Sequence, residues 1–81
     1  MTEEEIFAKV QEIAAEELDV DKAKITLTTN IKDDLDADSL DLFEIMSELE
    51  DEFEIELEAD EDITTVEDVV KYVKKELDAK D

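Results

Sequence analysis

Apolar side chains at Ile6, Phe7, Val10, Ile13, Ala14 and Leu18 recur at the spacing of one helical face, and Thr2 followed by Glu5 has capping-box spacing just ahead of them. This pattern predicts a first helix over Glu3–Leu18. From 19 to 37 the periodicity fails: β-branched and short polar residues appear, and Val20, Ile25, Leu27, Ile31 and Leu35 fall singly. A long ordered loop is expected there, pinned by those side chains, because unstructured stretches of about twenty residues are uncommon in compact domains.

Asp38 then offers an N-cap, with Asp41 at the third helical position and Leu42, Ile45, Met46, Leu49 and Phe53 following at helical spacing. The second helix is the clearest element of the chain, and its other side carries Asp41, Glu44, Glu48, Asp51 and Glu52. Ile55 and Leu57 alternate with glutamates but have no strand-like run to pair with, so they are assigned to a loop. A single helical turn is expected over 59–63. Thr64 and Glu67 repeat the capping-box spacing before Val66, Val69, Val70, Val73 and Leu77, which mark a last helix. The expected fold is all-α, a small three-to-four-helix bundle with a long loop between the first and second helices, and residues 1–81 form a single domain. Phe43, Met46, Leu49, Leu57, Ile63, Val66 and Tyr72 are assigned to its core.

Charge and composition narrow the functions. There are 29 acidic against 8 basic residues, a formal net charge of -21, and every basic residue is a lysine. That balance excludes a nucleic-acid binder that neutralises phosphates, and likewise attachment to an anionic membrane. Without Cys or His the chain has no thiol nucleophile, no zinc site of the usual ligands and no Ser-His-Asp triad; without Gly it has no phosphate-cradling loop. An enzyme is therefore not expected. Leu, Ile, Val and Phe make up 24 of 81 residues, enough for a small core rather than a disordered chain. No apolar run reaches the roughly 18–20 residues that span a bilayer, and three glutamates rather than a basic segment open the chain, so a cytoplasmic protein without membrane insertion is expected.

Ser39, one of two serines, falls at the first helical position after Asp38. A hydroxyl there lies beside unpaired backbone N–H groups at the positive end of a helix dipole, where a phosphate ester is favoured. By itself the position is more readily that of an ordinary capping serine, since serines near helix starts are common. The run Asp36-Ala37-Asp38-Ser39-Leu40-Asp41, followed by Glu44 and by Leu49-Glu50-Asp51-Glu52-Phe53, closely resembles the attachment region of bacterial acyl carrier proteins of fatty-acid synthesis, and Ile63-Thr64-Thr65-Val66 is similar to their lead into the last helix. The resemblance covers nearly the whole chain. It implies that Ser39 carries covalent 4'-phosphopantetheine derived from coenzyme A, attached by a holo-synthase (a phosphopantetheinyl transferase) with Mg2+, and that acyl groups ride on its thiol as thioesters. It also implies that Asp38, Asp41, Glu44, Glu50 and Asp51 meet basic patches on successive fatty-acid synthesis or acyltransferase enzymes, with Leu40 as an apolar anchor, and that the acyl chain enters between the helices. A monomer is expected.

The chain departs from the family pattern at Asp36, where a glycine is common, and between Phe53 and Ile63, where Glu58 replaces a common proline and fewer residues remain for a third helix. Among other functions, an EF-hand fails. Asp34, Asp36 and Asp38 fit its first, third and fifth positions, but Ser39 stands at the glycine position and Ile45 at the glutamate position, so no specific metal site is expected. A polyketide, peptidyl or D-alanyl carrier, or an acidic interaction or divalent-cation-binding module without a prosthetic group, are the alternatives.

Overall fold

The computed structural model describes residues 2–57 and 63–80. Helix α1 spans Glu3–Leu18 and starts at the expected box: the Glu5 N–H donates to Thr2 Oγ1 and the Thr2 N–H to Glu5 Oε1, both at 3.2 Å. It ends at Asp19 in the left-handed region, φ 54°. Helix α2 spans Ser39–Phe53 and helix α3 Val66–Lys80. Helix α1 packs against both of the others. Ile6, Val10, Ile45, Met46, Leu49, Val66, Val69 and Val73 meet in a core from which water is excluded.

The 19–37 segment is ordered, as expected, and its order comes from hydrogen bonds as well as apolar anchors. A single 3-10 turn forms at Lys22–Lys24. Gln11 of α1 reaches across and donates through Nε2 to the carbonyls of Lys22 and Ile25, at 2.8 and 2.9 Å. Ile25 and Ile31 are buried, and the buried Thr29 donates through Oγ1 to the Lys24 carbonyl. Further on, Asn30 Oδ1 accepts from the N–H groups of Lys32 and Asp33, while Asp34 Oδ2 accepts from the Asn30 N–H. These Asx-type bonds fold the chain back in the way short polar side chains do in turns. The loop is then tied to the segment before α3: the Ile31 N–H donates to the Thr64 carbonyl, the Val66 N–H to the Thr29 carbonyl, and Asn30 pairs with Thr65 in an isolated bridge.

Two expectations need correction. The last helix starts one residue later than the Thr64–Glu67 spacing indicates. Thr65 Oγ1 accepts from the Asp68 N–H at 3.2 Å, and Asp68 Oδ2 accepts from the N–H groups of Thr64 and Thr65 at 3.2 and 3.1 Å. Phe43, assigned to the core, is 60% exposed. Leu42, Ile45, Met46, Leu49 and Phe53 already fill the buried arc of α2, and Phe43 lies just outside it. Met46, Leu49, Leu57, Ile63 and Val66 are buried as expected, and Tyr72 is half-buried against them. Ile55 and Leu57 are irregular, as assigned. The turn expected over 59–63 lies, apart from Ile63, outside the described residues.

Candidate functional site

The start of α2 is prepared from both sides. Before it, the Ala37 N–H donates to the Ile31 carbonyl at 3.2 Å and the Ala37 side chain is buried, which anchors the chain one residue ahead of the cap. Asp36 takes a left-handed conformation, φ 56°, a region that favours glycine but that Asp tolerates better than most residues. The departure from the family pattern thus keeps the backbone turn. Asp38 then caps the helix: its Oδ1 accepts from the Asp41 N–H at 2.9 Å, and Asp41 Oδ2 accepts from the Asp38 N–H at 3.4 Å.

That box engages the N–H groups of Asp38 and Asp41 and leaves those of Ser39 and Leu40, at the positive end of the helix, without a partner among the described residues. Ser39 is exposed, so its hydroxyl is accessible to a transferase. The fit to a phosphodiester is good for this reason: a primary hydroxyl on a rigid helix start, with two free donors beside it. Asp36, Asp38 and Asp41 lie close to Ser39 in sequence and bring negative charge to the same helix start.

Around Ser39 the side chains sort into two strips. Leu40, Phe43, Ser47, Glu50 and Glu54 succeed one another at spacings of three and four and therefore line one side of α2. Leu40, 64% exposed, and Phe43 form an apolar pair at the Ser39 end of this strip. On the side toward α1 lie Asp41, Glu44 and Glu48. There Glu17, half-buried in the last turn of α1, has its pKa pushed up to about 7, first by hydrogen bonding with Glu48, then by burial and by Glu44. Of the residues expected to meet partners, Asp38, Leu40, Glu44 and Asp51 are exposed, while Asp41 and Glu50 are half-buried. Phe43 is the residue that reading the sequence missed. Its signal was present in its offset by three from Leu40, but the choice between core and surface needed the positions of the other helices.

A family model described as a phosphopantetheine attachment site matches residues 8–73. The acyl carrier protein of Streptococcus pneumoniae is 54% identical over 71 residues, covering 88% of this chain and 95% of that relative. That of Lactococcus lactis is 50% identical over 68 residues, covering 84% of this chain and 92% of the relative. Among solved structures, the acyl carrier protein from Enterococcus faecalis superposes with a TM-score of 0.75 at 42% identity, covering 94% of this chain and 99% of that one. The sequence of relatives, the family model and the shared helical fold agree, and the chain belongs to the acyl carrier proteins, within the family that carries a phosphopantetheine attachment site.

Proposed function

We propose that Ser39 is the attachment residue and that the exposed side of α2 around it is the surface on which successive enzymes dock. As an acyl carrier protein the chain is a carrier and not an enzyme, and its prosthetic group is covalent 4'-phosphopantetheine. That group supplies the thiol, absent from the sequence itself, on which fatty acyl groups are held. The chain's own residues provide the address and the presentation. The observation that carries the reading is the position of Ser39: exposed, first in α2, inside the matched region 8–73, with two backbone donors left free by the Asp38–Asp41 box.

For docking, the apolar pair Leu40 and Phe43 sits beside Ser39 and is flanked by Asp38, Asp41, Glu44, Glu50 and Asp51. A partner that fits this face has an apolar socket ringed by Lys or Arg. Clustered like charge steers such a partner to rapid encounter, and a small contact area lets it leave quickly, as a carrier that visits several enzymes requires. The holo-synthase and the enzymes of fatty-acid synthesis are the partners in this reading. The same excess of surface charge opposes association with a second copy, which supports a monomer. Among the described residues no helix is long and apolar enough to cross a membrane.

The test is intact mass after incubation with coenzyme A, Mg2+ and a promiscuous phosphopantetheinyl transferase. The expected result is the gain of one phosphopantetheine, abolished in Ser39→Ala. A folded chain that gains nothing, or a Ser39→Ala variant that still gains it, would overturn the assignment.

A further inference from the structure

The docking strip of α2 ends against a lysine of the same chain. Glu50, Asp51, Glu52 and Glu54 crowd the negative end of the helix dipole, and the last turn of α2 has no basic residue of its own. Cations come instead from the neighbouring helices. Lys9 of α1 pairs with Glu52 at 3.0 Å. Lys80 of α3 donates to the Glu54 carbonyl oxygen at 2.9 Å, and its Nζ lies 3.7 Å from Glu54 Oε2. Glu50, Asp51, Glu54, Glu56 and Glu76 line an open cleft of about 510 Å³ at this end of the bundle, and Lys80 is the one cation in its lining among the described residues.

We propose that Lys80 is an autoinhibitory contact: it stands in for a partner's ammonium or guanidinium at the far end of the α2 docking face and must leave Glu54 before a basic partner engages Glu50 and Asp51. This rests on the proposed docking face. Three observations carry it. The strip from Leu40 through Phe43, Ser47 and Glu50 reaches Glu54, so the contact lies on the docking side of the helix rather than behind it. Glu50 and Asp51 line the same cleft as Lys80, so cations competing for this cleft are not independent. The hydrogen bond to the Glu54 carbonyl at 2.9 Å seats Lys80, while its pairing with the Glu54 carboxylate is weak, because the side chains are 49% and 85% exposed and ion pairs that open to water contribute little. Lys80 therefore lowers affinity without abolishing it, which suits a surface that must bind and release.

The experiment titrates the full-length apo chain with a tetra-arginine peptide and follows the backbone amide signals of Glu50, Asp51 and Glu54 by NMR, so that binding elsewhere on the acidic surface is resolved from binding here. Lys80→Ala is expected to lower the dissociation constant read at these amides by about two- to fivefold, the range an exposed pair allows. Lys75→Ala removes the same charge from an exposed position of α3 that engages no carboxylate among the described residues, and is expected to change it much less. Lys80→Arg keeps a cation in the cleft and is expected to stay close to the parent chain. Equal constants for Lys80→Ala and Lys75→Ala, or weaker binding to Lys80→Ala, would overturn the proposal. With a phosphopantetheinyl transferase the same variants should show a lower KM for Lys80→Ala at unchanged kcat. If Ser39 gains no mass in any variant while the peptide still prefers Lys80→Ala, the carrier reading fails and the masking contact stands.

Discussion

Asp19, Asp36 and Glu54 all adopt positive φ, between 54° and 56°, in a chain that contains no glycine. For an L-residue this region crowds Cβ against the following carbonyl, at a cost of roughly 1–2 kcal/mol that Asp escapes in part. Asp36 is the most consequential of the three, because it turns the chain toward Ala37 and the Asp38 cap. Asp36→Gly is expected to raise stability by about 0.5 kcal/mol, the relieved crowding exceeding the added freedom of the unfolded chain, whereas Asp36→Val should lower it by about 1–2 kcal/mol. Urea unfolding at constant m-value checks both signs, and a destabilised Asp36→Gly would show that the aspartate side chain holds the turn. This position was marked by the resemblance, because a glycine is common there in the family. The exposure of Phe43 was not. Periodicity places Phe43 at the margin of the apolar arc, and only the arrangement of neighbouring helices decides whether a margin is covered.

Helix limits were readable wherever the signal was local. The Thr2–Glu5 and Asp38–Asp41 pairs lie within one turn and set the starts of α1 and α2 without help from the rest of the chain. At α3 two pairs with the same spacing, Thr64–Glu67 and Thr65–Asp68, compete locally. The choice is made by distant backbone: Asn30 bridges Thr65 and the Val66 N–H takes the Thr29 carbonyl, so Thr65 is held in the bridge instead of entering the first turn, and the cap falls on Thr65. The same bonds gave the 19–37 loop its order, which apolar spacing predicted only in outline. Contacts between helices were likewise hidden, and the one between the last turn of α1 and α2 has a consequence for pH. Glu17 has a folded pKa of about 7 against an ordinary 4.5, raised chiefly by its hydrogen bonding with Glu48, then by burial and by Glu44. The folded state therefore holds this proton more tightly than the unfolded one, and stability from this group falls as pH rises from about 4.5 through about 7. Glu17→Gln, which stays neutral, is expected to be more stable than the parent chain at pH 8 and to show a flatter dependence of Tm on pH between 5 and 8. Parallel Tm profiles for the two proteins would remove Glu17 as the cause. Asp68 acts in the opposite direction at a lower pH: backbone N–H donors from Thr65 and Thr64 hold its carboxyl below the usual value, so its contribution is present above 3.8 and is lost as pH falls through the depressed folded value.

Over the whole molecule, four ion pairs among the described residues do little to offset a net charge of -21. The radius of gyration is 11.3 Å, comparable with the screening length of about 10 Å at 0.1 M salt, so at lower ionic strength each carboxylate is repelled by charges throughout the bundle. Added salt should therefore raise Tm, and millimolar Mg2+ or Ca2+, with their higher charge, should raise it further. An unchanged midpoint would end the self-repulsion account, and saturation at micromolar concentration of one ion alone would replace it with a specific site. The proposed docking face would make the same charge visible with the opposite sign. Salt that screens repulsion within the bundle also screens its attraction for a basic transferase, so KM should rise over the range of salt in which Tm rises. Measuring both on one sample separates the terms. If added salt raised Tm but left KM unchanged, the charge would be acting on the fold alone, and the apolar pair Leu40 and Phe43 would have to account for docking by itself.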